Sequence, residues 1–304
     1  MFKKDNIKTG SPNLLFLLIL LFILTCSCSD SNAPSMLEKV ARLNLKTIDR
    51  SIKTYYVNGY KQRAETTLNV LHKSIKFYEK NFDVKQSFAL AIIDSSSWEK
   101  ITQIPYGLPF VSGPPYIVCL PANSNNALSE IIFTALDGYE LNTQNGMSQE
   151  EIVNLFISLI GFHELGHIYA NAYGISFPNK WTFEFAATYF AYFYLEQNFP
   201  RQSEIWVDVS EILVKELEPS NTSLNDFEEM YVRVGVENYA WYQAAFLVRV
   251  MEVYRQQGIE FLRKLKKHQW PSNSPSEYLN EMENISSGFV KWAQNYHLQN
   301  DESK

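Results

Sequence analysis

Cysteine is scarce in this chain of 304 residues: Cys26, Cys28 and Cys119 are the only three, and no CxxC pair occurs. A disulfide framework is therefore excluded as the source of stability. Glycine is thin as well, at 12 residues, with neither a glycine-rich phosphate loop nor a GxSxG elbow. The usual motif evidence for nucleotide hydrolysis or a serine nucleophile is thus absent. No segment repeats, which rules out a solenoid. The net charge is −6, without basic clusters, and this argues against a nucleic-acid partner. Histidine is limited to five positions, so an imidazole-built site has few candidates.

Two of those five stand in His163-Glu164-Leu165-Gly166-His167. On an α-helix, residues four apart share a face, so the imidazoles of His163 and His167 can converge on one metal ion. Glu164 lies beside them, where a carboxylate can take a proton from a water acidified by Zn²⁺ and return it to a leaving amine. The surroundings predict that this stretch is helical and buried. Ser148-Gln149-Glu150-Glu151 reads as a capping box, an apolar run from Ile152 to Phe162 follows, and Gly174 offers a stop after Tyr173. A metal-free core helix would have to satisfy two histidines and a glutamate by other means.

A zinc site needs a third protein ligand and an open position. His72, His268 and His297 do not follow the motif at short spacing, so a carboxylate is expected. Trp181-Thr182-Phe183-Glu184-Phe185-Ala186-Ala187 supplies one, on an aromatic-rich helix capped by Asn179 that runs to about Gln197. Glu196 and Glu204 are the alternatives.

Sixteen residues separate HELGH from the glutamate of Trp-x-x-Glu-x-x-Ala, and in this the chain resembles the gluzincin metallopeptidases. The resemblance covers residues 151–197. It implies that His163, His167 and Glu184 are ligands and Glu164 the general base. Many relatives carry Asn just before the ligand glutamate, and thermolysin-like members carry Asp four residues after it. Here those positions hold Phe183 and Thr188. Gluzincins often bring an oxyanion-stabilising tyrosine from a later helix, for which Tyr239 and Tyr242 are the candidates.

The N-terminus reads as a targeting segment. Lys3, Lys4 and Lys8 precede the apolar run Leu14–Leu24, which is too short for a comfortable membrane span. Cys28 after Ser27 resembles a bacterial lipoprotein processing site, and the polar start resembles lipoproteins of the Bacteroidetes. That resemblance implies acylation at Cys28, a signal segment at 1–27, a tether at 28–35 and a lipid-anchored place in the cell envelope. An ordinary secreted protein cleaved nearby is the alternative. Removing residues 1–27 takes away Lys3, Lys4, Lys8 and Asp5 and moves the net charge to −8. Electrostatic attraction to anionic lipid is then not expected.

The remaining pattern predicts a mainly helical α+β fold: a single zincin-like domain over 36–300, with a small sheet packed on the HExxH helix and a helical C-terminal half. Residues 36–81 read as two helices broken at Asn58-Gly59. The sheet and loops occupy 87–147, with strands at Ser87–Ile93 and Tyr116–Leu120. The segment Ile104–Phe110 reads either as a cleft wall or as a structural loop over a sheet edge. The zinc-site helices occupy 148–198 and the C-terminal helices 202–298. The expected activity is zinc-dependent hydrolysis of peptide or protein substrates. A catalytically silent binding lipoprotein and a hydrolase of non-peptide bonds are the alternatives.

Overall fold

Six consecutive apolar residues, Phe88–Ile93, are all buried, which requires that both faces of their strand be covered. In a computed structural model, which describes residues 33–141, 146–270 and 275–299, they form the third strand of the chain. The elements run α1 (Met36–Ala41), β1 (Lys46–Ile48), β2 (Thr54–Tyr56), α2 (Lys61–Phe82), β3 (Phe88–Ile93), α3 (Ser95–Trp98), β4 (Phe110–Ser112) and β5 (Tyr116–Pro121). Helices follow: α4 (Ala127–Ala135), α5 (Gln149–Tyr173), α6 (Lys180–Asn198), α7 (Pro200–Glu216), α8 (Leu224–Met230), α9 (Val236–Gln257), α10 (Ile259–Lys267), α11 (Pro275–Ile285) and α12 (Phe289–Asn295). The protein is thus mainly helical α+β. These elements belong to the unit Met36–Lys304. The expected signal segment and Cys28 lie outside the described residues.

The sheet has the order β1-β2-β3-β5-β4, parallel in its centre and antiparallel at both edges. Side chains alternate across it. Leu90, Ile92, Val118 and Leu120 join the main core with α5, while Ala89, Ala91, Ile117 and Cys119 join a smaller core with Val40 and Trp98. The two-helix expectation for 36–81 is corrected here. Lys46–Ile48 and Thr54–Tyr56 pair as strands, with Tyr55 opposite Ala91 of β3, so pairing with a buried sheet overrides a weak helical period.

The two long central helices have their ends determined locally. Ser148 and Glu151 form the expected capping box of α5, and Gly174 closes that helix with φ of 82°. Asn179 caps α6 by accepting from the Thr182 backbone N–H, and Pro200 opens the next helix. Helix α5 is apolar and long enough to cross a membrane, yet 78% of its most apolar window is buried within the protein, as for a core helix.

Gly166 is where α5 and α6 meet. A Cβ at this position would stand 2.1 Å from the Ala187 carbonyl oxygen, a backbone atom that cannot swing away. Gly166→Ala is therefore expected to push the helices apart and to cost about 1–3 kcal/mol in denaturant unfolding. Gly161→Ala, whose Cβ would meet only the Leu120 side chain at 3.1 Å, should cost less. Equal unfolding midpoints for Gly166→Ala and wild type would show slack in this crossing.

Candidate metal centre

Close approach of α5 and α6 brings three side chains to one point. Among the described residues, His163, His167 and Glu184 form a group that could hold a metal ion, and all three are buried. His163 Nε2 lies 3.0 Å from Glu184 Oε2 and 3.1 Å from His167 Nε2, and His167 Nε2 lies 3.6 Å from the same carboxylate oxygen. Ligand atoms of a tetrahedral ion with bonds of about 2.1 Å stand about 3.4 Å apart. The observed triangle has that size.

Hydrogen bonding around the cluster also fits a cation at its centre. The Thr188 hydroxyl donates to the Glu184 carbonyl at 3.0 Å and, with that proton committed, can accept from His163 Nδ1, also at 3.0 Å, the ring's tautomer setting the direction. Burial lowers the pKa of His163 and favours the neutral ring. A neutral ring with its proton on Nδ1 presents a bare Nε2, which then faces a carboxylate oxygen. Two lone pairs at 3.0 Å repel unless a cation lies between them. Burial would raise Glu184, but the imidazoles, His167 foremost, hold its carboxyl well below the usual range, so it is anionic. Burial lowers His167, yet the Glu184 carboxylate outweighs it and the pKa is raised.

The ligand glutamate is tied down from outside the two helices. Gln243 Nε2 donates to Glu184 Oε2 at 2.8 Å and the Tyr239 hydroxyl donates to the same oxygen at 3.2 Å, while the Tyr231 hydroxyl donates to Oε1. Tyr242 is turned away, and its hydroxyl donates to the Ser223 carbonyl at 2.7 Å. Of the two tyrosines expected at the site, only Tyr239 reaches it. The sequence reading missed Tyr231 and Gln243. A residue one helical turn beyond Tyr239 on α9 was a usable signal for Gln243, whereas Tyr231 sits in a 3-10 turn with no periodicity to mark it.

The departures from the gluzincin pattern have distinct consequences. Thr188 supplies His163 with the partner that an aspartate would otherwise give, though without charge. Phe183 packs its ring 4.3 Å from that of His167 and offers no acceptor, and His167 Nδ1 is buried without a hydrogen-bond partner. Glu196 bonds Ser203 and Glu204 is exposed, so neither alternative ligand joins the cluster. His72 lies against Ser51, and His268 faces Glu281 at 3.1 Å.

Glu164 and His163 both line a cavity of about 70 Å³. Its polar lining comprises Glu164, His163, Thr188, Ser210, Tyr239 and Gln243, and its apolar lining includes Leu108, Pro109, Phe156, Ile160, Trp206 and Leu213. The Ile104–Phe110 segment thus contributes a wall through Leu108 and Pro109. Burial pushes the Glu164 carboxyl up to about 8; His167 pulls against this, Glu184 adds to it, and a hydrogen bond from the Val111 backbone of β4 lowers it. No protein-family model matches the chain, and no curated protein matches it in sequence.

The geometry predicts about one divalent ion per chain, bound through three side chains. His163→Ala and Glu184→Ala should each sharply weaken binding, measured by metal analysis after dialysis and by titration with a chromophoric chelator. Thr188→Val, which removes the partner of His163 Nδ1, should weaken it roughly ten- to hundredfold. Unchanged binding in Glu184→Ala would remove that residue from the centre.

Proposed function

We propose that this protein is a zinc-dependent hydrolase of peptide bonds in which Glu164 is the general base. The observation that carries the reading is the position of Glu164: it lines one cavity together with His163, a member of the triangle of ligand atoms of tetrahedral size. Two imidazoles and a carboxylate are the donor set of catalytic zinc sites that keep one position open. Zn²⁺ bound there would lower the pKa of a water and polarise a carbonyl.

The remaining steps belong to the chain's own residues. Glu164 takes a proton from the attacking water and gives it to the departing amine. A carboxyl held at about 8 keeps a proton once it has taken one, and the charge of a cation beside it would favour the ionised form that must accept it first. Tyr239 keeps its hydroxyl proton, because burial and the Glu184 charge push its pKa well above the usual value. Its hydroxyl donates to Glu184 Oε2 at 3.2 Å, and Tyr239 also lines the cavity. Stabilising a developing oxyanion would require that proton to turn from the carboxylate to the substrate. The apolar walls favour an uncharged side chain next to the scissile bond.

One observation favours a second reading, a silent binder. The cavity beside Glu164, about 70 Å³, is small next to a peptide and is lined by the apolar side chains of Leu108, Pro109 and Trp206. A single variant separates the two readings. Glu164→Gln should keep folding and metal content while a peptide library cleaved by wild type is left intact. Chelator treatment should mimic the variant until zinc is restored. Wild type that binds zinc and leaves every peptide whole would favour the silent binder and direct the search to non-peptide bonds.

The same proposal places the enzyme in a bacterial envelope, anchored by lipid at Cys28. Labelling with a fatty-acid analogue should mark wild type and Cys26→Ser but not Cys28→Ser. Label retained in Cys28→Ser would mean that the anchor is elsewhere.

A further inference from the structure

We propose that Tyr231 is a positioning residue that restricts Glu184 to metal ligation through one oxygen. The proposal rests on the metal-centre reading above. The two oxygens of Glu184 keep different company. Oε2 faces His163 at 3.0 Å and His167 at 3.6 Å, whereas Oε1 accepts from the Tyr231 hydroxyl. A carboxylate free to rotate can bring both oxygens to an ion and occupy the position that a water needs. A phenol on Oε1 opposes that rotation. Tyr239 and Gln243 both hold Oε2, which leaves Tyr231 as the donor on Oε1.

The backbone at Tyr231 supports the assignment independently. Its φ is 49° and its ψ −122°, a conformation that a bulky L-residue rarely adopts. Such strain persists only where the surroundings over-determine it. Here both ends of the segment are tied to α6. Glu228 accepts from the Lys180 and Trp181 backbone N–H groups at 3.0 and 2.7 Å, and the Lys180 ammonium lies 5.4 Å over the Tyr231 ring. One helical turn further along α6, Glu184 receives the phenol.

Tyr231→Phe in the full chain keeps the ring and the backbone and deletes only the hydroxyl. The zinc dissociation constant should rise roughly tenfold to a hundredfold. In the cobalt(II)-loaded protein, the visible bands should shift as a second carboxylate oxygen enters the coordination sphere. A purely structural role would not alter that spectrum. X-ray absorption of zinc-loaded wild type should show Glu184 contributing one oxygen, and this reads the proposal even if the variant fails to fold. Unchanged affinity and spectrum in Tyr231→Phe, or two carboxylate oxygens on the ion in wild type, would overturn it while leaving the metal centre intact. Wild type that binds neither zinc nor cobalt would overturn the centre and this role together.

Discussion

Three lone-pair-bearing atoms converging in a buried space are the constraint on which the rest of this structure depends. Glu184 Oε2 and the Nε2 atoms of His163 and His167 sit within 3.6 Å of one another, in a place where water screens almost nothing. Left without a positive charge, that arrangement is repulsive and partly unsatisfied. One shared proton can relieve it in part, and a divalent cation relieves it fully. The close helix crossing at Gly166, the capping box at Ser148, the Asn179 cap and the Glu228 brace all serve to keep three atoms in that arrangement. Each is weak alone, at about 0.5–2 kcal/mol for a cap. Their effect is to make the cluster rigid.

The parts of this arrangement that are local in sequence were legible there. A capping box, an αL glycine and an asparagine cap are short-range signals, so α5 and the start of α6 follow from a few residues each. His163 and His167 share a face because of helical period alone. Glu184 was within reach for a different reason: the flanking Phe185, Ala186 and Ala187 imply burial, and a buried glutamate needs a partner. The strand pairs Phe88–Ile93 and Tyr116–Pro121 were visible as apolar runs bounded by turn residues.

What was not legible depends on contacts between distant segments. Thr188 is an ordinary helix residue until α5 brings His163 Nδ1 to its hydroxyl, 25 positions away in sequence. Nothing local distinguishes Tyr231 from the other seventeen tyrosines. Its role arises from a strained turn held by Glu228, and no propensity scale encodes that. The strands at Lys46–Ile48 and Thr54–Tyr56 are three residues each, too short for a period to show, and they exist because β3 offers an open edge. Tyr242 illustrates the converse. It is three residues from Tyr239 on α9, and that rotation is enough to aim its hydroxyl at Ser223 instead.

Burial gives the centre its strength and also limits its use. Inside the core, the attraction between a divalent ion and Glu184 is poorly screened, and a Glu164 raised to about 8 can hold a proton that a solvated glutamate would release. The same burial leaves a cavity of about 70 Å³ at the open side. The two properties are compatible only if the wall on that side yields more easily than the wall carrying the ligands. The contacts divide in that direction. On the ligand side, α5 and α6 touch backbone to side-chain position at Gly166 and are braced through Glu228 and Asn179. The cavity lining also includes Leu108 and Pro109, which belong to the loop before β4, a three-residue edge strand among the described residues. Loop backbone costs less to displace than a packed helix pair. In the proposed hydrolase, displacement of Leu108 and Pro109 would widen the cavity lined by Glu164 and leave the three ligand side chains where they are.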